Sequence, residues 1–518
     1  MKKGLRVVAL VACIAMTVCC VGCGNGGSGD TAKLTWWERN DVSAYLTNGN
    51  NDMKAFQMIA EQNGVELEFM HPMQGEQNNQ FNVMIASGDL PDIVCYEWAG
   101  YQGGADRAID DGVIIALDEY IAQGKLPNYK KALEKYDVMD LVKTPNGHIA
   151  GFHGIKEDAS ANAFYGPTIR KDWLDKLGLE IPTTIEEWEK VLIAFRDEDP
   201  NGNGKKDEIP FVTVPNFYGA YGMTYENFYV NPDGEFTFTN MGPRYKAYLE
   251  TMNRWYEMGL INPEYPTMDT KTRDSYITGD ISGAYVGYTG SQFTNYVAAR
   301  KDDPNFHLVG APWPKGTEGV AYTPALGFLR VIPTAMAAIS AKSKNIDAAL
   351  KLLDSLYSEE NTELLNWGIE GETFEKTADG NKYTDAILSA PDGKSAIAAM
   401  APYASPSLGW YPRIFDSKAI KDLTMSHPDI KAATELWASA DASLLNRASF
   451  ALNDAESKEY MQLASTVQTY ISEMNQKFIT GQEPLENYDK YEATLKDLKI
   501  DRLIEIYKGV YDRMNGNK

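Results

Sequence analysis

Val65-Glu66-Leu67-Glu68-Phe69, then Gln77-Asn78-Asn79-Gln80-Phe81-Asn82-Val83-Met84-Ile85-Ala86-Ser87, then Gly88-Asp89-Leu90-Pro91 and Asp92-Ile93-Val94-Cys95-Tyr96 decide the architecture. The first stretch alternates apolar and polar side chains, the period of a strand. The second places Phe81, Met84 and Ile85 on one face of a helix, which Gly88 and Pro91 terminate. The last is an apolar run of buried-strand type. Working outward, Lys33-Leu34-Thr35-Trp36-Trp37 reads as a strand, and residues 51–63 carry Met53, Phe56, Ile59 and Ala60 at helical spacing. Strand–helix–strand–helix–strand with short connections predicts a mostly parallel sheet covered by helices. A second unit follows, with helices at 173–178, 184–196 and 245–258 and strands at 209–214 and 281–286. The C-terminal part reads as largely helical, longest over 458–478. A chain of 518 residues is too long for one core, so two α/β lobes are expected.

The chain opens on Lys2, Lys3 and Arg6, and residues 7–22 are uncharged and mostly apolar. That run is short for a bilayer span and suits a signal-peptide core. It ends in Cys20-Val21-Gly22-Cys23, before a tether of Gly, Asn and Ser. A small residue before a cysteine, then a polar tether, is similar to the bacterial lipoprotein processing site. In that reading residues 1–22 are the signal, Cys23 carries the diacylglycerol with its palmitate-type chains, and residues 23–30 are flexible. Cys20 departs from the Leu usual there, and ordinary secretory cleavage nearby is the alternative. A membrane-spanning helix fits less well, because the flank is glycine-rich and not basic.

Four of the five cysteines fall in or at the end of that signal, leaving Cys95 alone in the body. No intrachain disulfide or cysteine metal pair is available to the mature fold. The formal net charge is −23, and −26 once the three leading cations are removed with the signal. Such a surface excludes nucleic acid and anionic lipid as partners. Five histidines leave little scope for a His-rich metal site or a His-dependent triad. The 30 Tyr, 18 Phe and 10 Trp serve either as core or as faces for sugar rings, whose C–H surfaces pack on aromatics.

Several segments in order resemble one family. They are Asn82-Val83-Met84-Ile85-Ala86-Ser87-Gly88-Asp89-Leu90-Pro91-Asp92-Ile93; Ile169-Arg170-Lys171-Asp172-Trp173-Leu174-Asp175-Lys176-Leu177-Gly178 with Pro182-Thr183-Thr184-Ile185-Glu186-Glu187-Trp188; Asp199-Pro200-Asn201-Gly202-Asn203-Gly204-Lys205-Lys206-Asp207-Glu208-Ile209-Pro210; Trp367-Gly368-Ile369-Glu370-Gly371-Glu372; and Phe478-Ile479-Thr480-Gly481. Together they resemble bacterial extracellular solute-binding proteins of family 1, the maltodextrin-binding class, and most of all its large lipoprotein branch with the alginate-oligosaccharide-binding proteins. The resemblance implies a two-lobed periplasmic-binding-protein-like α/β fold of type II, a ligand cleft between the lobes and a helical C-terminal part. It places lobe 1 at 31–153 and 311–402 and lobe 2 at 154–310 and 403–518. The hinge is expected near Gly151-Phe152-His153, Gly310-Ala311-Pro312 and Ala401-Pro402-Tyr403.

Asp199, Asn201, Asn203, Lys205 and Asp207 alternate with glycines between, like the first ligands of an EF-hand loop. Side-chain oxygens of Asp199, Asn201, Asn203 and Asp207 and the Lys205 carbonyl can converge on one structural calcium ion. Pro210 stands where an EF-hand carries its bidentate Glu, and the resemblance makes Glu208 the substitute. The alternative is a polar Asx-rich surface loop.

Ligands of open α/β sheets sit outside the carboxyl ends of the strands. Trp36, Trp37 and Glu38 end one strand, Glu97 and Trp98 another; Phe217, Tyr218 and Tyr288 follow strands of the second unit. Trp313 lies in a Pro-bounded crossover, and Trp410 and Arg413 in a Pro-bounded loop. The resemblance turns the Tyr288 and Trp410 regions toward sugar rings. Arg170 can bind a hydroxyl or carboxylate of the ligand, or pair with an acid between the lobes. The expected function is a monomeric, lipid-anchored, non-enzymatic protein on the extracellular face of a bacterial cell membrane. It binds an oligosaccharide and delivers it to the permease subunits of an ABC transporter. A secreted glycoside hydrolase, or a binder of a non-carbohydrate solute such as a peptide, is the alternative.

Overall fold

The computed structural model describes residues 31–157, 163–324, 331, 335–390, 394–407, 409, 411–425, 427–445 and 452–514. Cys23 and Trp410 lie outside them. The chain forms β1 (Ala32–Glu38), β2 (Val65–Met70), β3 (Ile93–Glu97) and β4 (Phe152–Lys156) in the first lobe. In the second it forms β5 (Tyr165–Arg170), β6 (Ile209–Phe211), the hairpin β7 (Phe228–Val230) and β8 (Phe236–Phe238), β9 (Ser282–Tyr288) and β10 (Leu308–Gly310). It then returns as β11 (Ala335–Ile339), the hairpin β12 (Phe374–Thr377) and β13 (Gly380–Tyr383), and β14 (Arg413–Phe415). Lobe 1 is a six-stranded sheet ordered β14-β4-β11-β3-β1-β2, and lobe 2 a four-stranded sheet ordered β10-β5-β9-β6.

The pattern at 65–96 folds as its periods dictate. The helix Lys54–Asn63 buries Phe56, Ile59 and Ala60 and ends on Gly64 in the left-handed region. The helix Gln77–Ser87 ends on Gly88 at φ 68°, a conformation that costs a side-chain-bearing residue but not glycine. Thr184 caps the helix Ile185–Asp197 by accepting from the Glu187 N–H, as the Pro-Thr-Thr-x-Glu-Glu order predicts. The helix Asp454–Ile479 begins with a capping box between Asn453 and Glu456.

Two separate cores result, one around Leu34, Trp36, Phe56 and Trp367 and the other around Trp173, Trp188, Trp255 and Trp437. They move the expected lobe boundaries. Ala311 and Trp313 belong to the lobe 2 core; the Ala311 N–H donates to Pro167 O at 2.8 Å and the Lys315 N–H to Thr183 O at 2.8 Å. In the other direction β14 pairs with β4, and Ala404, Tyr411 and Leu423 lie in the lobe 1 core. The carbonyls of Pro402 and Tyr403 accept from the Lys54 and Ala55 N–H groups at 2.9 Å each. They satisfy orphan donors at the start of that helix. Residues 151–153, 310–312 and 401–403 are therefore fixed within lobes. The chain crosses between Glu157 and Ala163, between Pro324 and Val331, and between the helices Ser417–Thr424 and Pro428–Ala438.

Candidate functional site

Strand direction locates the site. In lobe 1, β2 and β3 run parallel to β1, and β14 parallel to β4, while β11 runs antiparallel to both β3 and β4. All five parallel strands thus end at one edge, marked by Glu38, Met70, Glu97, Lys156 and Phe415. β11 starts there, so the crossings after β4 and before β11 use that edge, while the third follows the helix Ser417–Thr424. In lobe 2, β6 is parallel to β9, and β5 is antiparallel to β9 and β10. The facing edge therefore carries the start of β5 at Tyr165 and the end of β9 at Tyr288. It is the position where open α/β sheets take ligands.

Tyr288 dominates the lobe 2 edge. It is 48% exposed, with its ring 5.9 Å from that of Phe164, stacked at 23°, and 4.7 Å from that of Tyr165. Its N–H donates to Gln292 Oε1 at 2.8 Å, and the Thr289 N–H to Phe164 O at 2.8 Å, which hold the turn after β9. Tyr165 also meets Tyr225 at 6.0 Å and Trp313 at 6.3 Å, and Tyr218 meets Tyr225 at 5.6 Å. Burial pushes the Tyr218 hydroxyl up to about 12. Trp313 closes the back of this platform and is itself buried. Phe217, expected at the ligand, packs into the core against Trp188 at 5.2 Å, because it lies in the loop beyond the end of β6 and folds back under the turn Tyr218–Tyr221. Phe164, Tyr165 and Tyr225 were not anticipated; aromatic residues at the start of an antiparallel strand share the edge with the ends of its neighbours.

The lobe 1 edge corrects more of the expectations. Trp36 has no exposed surface and packs on Phe56 and Phe69 at 5.9 and 5.2 Å. Trp37 lies on the opposite sheet face against Tyr96 at 5.4 Å. Trp98 is buried against Phe81 at 5.5 Å. Adjacent residues of a strand point to opposite faces, and both faces of this sheet are covered. Glu97 remains exposed at the edge.

Glu38 is buried and accepts from Asn50 Nδ2. Burial first, then the Asp41 charge, holds its carboxyl well above the usual range, against the pull of Arg413. The Asn50 N–H donates to His71 Nε2 at 3.2 Å, so Nδ1 carries the ring proton and donates to Glu38 O at 2.9 Å. Arg413 is also buried; it donates to Ser405 O at 2.6 Å, Pro406 O at 3.1 Å and the Tyr411 hydroxyl, and lies over the Tyr411 and Phe415 rings. Both side chains, expected at the ligand, are instead buried within lobe 1.

Arg170 lies at the other edge of lobe 2. β5 runs away from the facing edge, so its carboxyl end is remote from Tyr288. There Arg170 pairs with Asp172 at 2.6 Å and with Asp280, between the Trp173 and Phe306 rings. The second of the two readings, pairing with acids, is the one found, though within lobe 2.

The loop at 199–208 sits on that remote edge too, where Asn201 Nδ2 donates to Asp280 O at 3.1 Å. Asp199 at φ 49° accepts from the Gly202, Asn203 and Gly204 N–H groups at 2.9, 3.1 and 3.0 Å. Asn203 Oδ1 accepts from the Lys205 N–H at 2.7 Å, and Asp207 from Asn203 Nδ2 at 3.0 Å. Both Glu208 carboxylate oxygens are buried without a hydrogen-bond partner. Burial, then the Asp199 and Asp207 charges, raises its carboxyl above the usual range. Buried carboxylate oxygens facing two further acids fit a hard cation. Among the described residues no group of three or more His, Cys, Asp or Glu is gathered as a ligand set, so a cation here depends on the Asn oxygens and the Lys205 carbonyl as well. No helix among the described residues is long and apolar enough to cross a membrane.

The family model for bacterial extracellular solute-binding proteins matches residues 47–363. The fructooligosaccharide ABC transporter substrate-binding protein FusA of Streptococcus pneumoniae serotype 4 (strain ATCC BAA-334 / TIGR4) is 26% identical over 490 residues, 90% of this chain and 88% of that protein. The solved structure of S. pneumoniae FusA with kestose superposes with a TM-score of 0.76 at 22% identity, covering 94% of this chain and all of that one. The crystal structure of the alginate-binding protein AlgQ2 without calcium ion gives 0.73 at 21% identity, over 93% and 99%. Both are similar to this chain in fold.

Proposed function

The chain belongs to the bacterial extracellular solute-binding proteins, and on that premise we propose that it captures an oligosaccharide outside the cell and delivers it to the permease of an ABC transporter. The observation that carries this reading is the half-exposed Tyr288 on its Phe164 and Tyr165 support, at the edge that faces the other lobe. A flat aromatic surface there takes the C–H face of a sugar ring, and rotation about the three crossings closes lobe 1 over it. FusA, whose ligands are fructooligosaccharides by name, supports the ligand class. The protein binds and releases without turnover. Cys23 carries the lipid anchor, and Cys23→Ser should release the protein from membranes. Calcium is held structurally by Asp199, Asn201, Asn203, Lys205, Asp207 and Glu208, and it offsets the crowded acids. The test is a thermal-shift screen over oligosaccharides. A ligand at a hundred times its Kd adds about 2.7 kcal/mol to the folded state. No shift with any oligosaccharide, or appearance of cleaved products, overturns the reading.

A further inference from the structure

Lys156 is the last residue of β4 and reaches two positions beyond Glu97, since His153, Met336 and Tyr96 lie in one row across β4, β11 and β3. It stands on the side of the fold where the chain leaves for lobe 2, eight residues before Phe164 of the Tyr288 platform. Its backbone pairs with Phe415. The side chain is largely surrounded by protein yet stays partly open to water. Desolvation alone pushes its amine down to about 8.

The neighbouring charges are committed elsewhere. Glu157 accepts from the Tyr136 hydroxyl at 3.0 Å. Arg413 on β14 is held by Ser405, Pro406 and Tyr411. Asp416 accepts from Trp367 Nε1 at 2.7 Å and from the Lys418 and Ala419 N–H groups at 2.8 and 3.0 Å. His153 shares a hydrogen bond with the Tyr129 hydroxyl. Residues 331–334, leading into β11, include no charged side chain, and Asp158 lies outside the described residues. No hydrogen bond or ion pair engages the Lys156 amine among the described residues. In a chain with 72 acidic residues, a half-buried ammonium is expected to find one of them.

We propose that Lys156 is the anion anchor of the ligand site, so that the oligosaccharide this protein takes is acidic and presents a uronate carboxylate to lobe 1 while a ring stacks on Tyr288 of lobe 2. The proposal rests on the oligosaccharide-binding reading above. A carboxylate beside Lys156 forms a charge-assisted hydrogen bond and restores the ammonium that burial disfavours. A neutral sugar offers no such gain. Binding above about pH 8 then takes up a proton, so the affinity for an acidic ligand falls as pH rises through that value and beyond.

The test is titration calorimetry of the full chain with trigalacturonate and with the neutral trisaccharide kestose, at pH 7 and pH 9.5. The expected result is tighter binding of trigalacturonate by tenfold or more at pH 7, weakened at pH 9.5. Lys156→Gln should lose that tenfold and the pH dependence, leave any kestose binding unchanged and keep the melting temperature. Lys156→Arg should keep the preference and lose the pH dependence, because a guanidinium does not titrate there. Kestose binding that exceeds trigalacturonate binding, or trigalacturonate binding indifferent to Lys156→Gln, overturns the anchor and leaves the oligosaccharide reading standing. Binding of no sugar, the two trisaccharides or any in the wider thermal-shift screen, overturns both.

Discussion

Replacing Tyr288 by Ala separates a ligand platform from a core aromatic. A Tyr side chain spans roughly 150–250 Å², and 48% of Tyr288 is open, leaving on the order of 100 Å² for a sugar to cover. At about 25 cal/mol per Å² that is worth ~2.5 kcal/mol when both faces and the edge are covered, and about 1 kcal/mol when one face is. Tyr288→Ala should therefore weaken oligosaccharide binding by about five- to seventyfold, read by titration calorimetry. Stability should change little, because about half of the residue already faces water. Trp36→Ala is the control. Trp36 is wholly buried among Phe56 and Phe69, and its loss should cost about 3–5 kcal/mol of lobe 1 stability, read as a fall in the denaturant midpoint. Full affinity in Tyr288→Ala, or a collapse of stability there comparable to Trp36→Ala, would refute the placement of the site on this edge.

Arg170→Ala should destabilise lobe 2 by about 3 kcal/mol, since it leaves Asp172 and Asp280 without their cation. It should leave Kd unchanged, and a calorimetric loss of affinity at full stability would show that the remote edge touches ligand. Chelation should lower the melting temperature, and Glu208→Gln should blunt that response. The pH dependence has a fixed sign. Glu208 has a raised carboxyl pKa in the fold, so its contribution is fully present below the unfolded value and is lost as pH rises through the folded value. Calcium, which replaces the proton, should therefore stabilise more at pH 7 than at pH 5, and equal calcium shifts at the two pH values would argue against Glu208 as a ligand.

Period and capping were legible in the sequence: the strand, helix and strand at 65–96 came with their terminating Gly88, and the helix at 184–196 with its Thr184 cap. Strand direction was not. Arg170 could be read either as a ligand contact or as the partner of an acid, and the choice turned on strand direction: β5 runs antiparallel to β9 and carries Arg170 to the edge remote from Tyr288, beside Asp172 and Asp280, which no local pattern reports. β4, β11 and β14 escaped for a related reason: they are short, and their pairing joins residues far apart in the chain. Burial was the other unreadable quantity. Trp36 and Trp37 are neighbours in sequence at the end of a strand, yet the helix Lys54–Asn63 covers one and Phe81 the other, so neither is left to stack on a sugar. The loop at 199–208 read differently because its oxygens and glycines are local, and its geometry needs no distant partner except Asp280.

The same long-range pairings decide where motion is possible. A hinge at Gly310-Ala311-Pro312 would have to break the Ala311 to Pro167 hydrogen bond and free Trp437 Nε1, which donates to Ala311 O at 2.9 Å. One at Pro402-Tyr403 would unseat the start of the helix Lys54–Asn63. Both cost buried backbone partners. The segments between Glu157 and Ala163, between Pro324 and Val331, and around the junction of the helices Ser417–Thr424 and Pro428–Ala438 are where the chain changes core. Lys156 marks the lobe 1 side of the first, and β11 begins shortly after the second. A ligand held by Lys156 and Tyr288 would therefore sit against the pivots, where a small rotation changes the distance between its two contacts least. The lobes can then close without letting go of either end, and this is the arrangement a carrier needs if the closed form is to report that cargo is aboard.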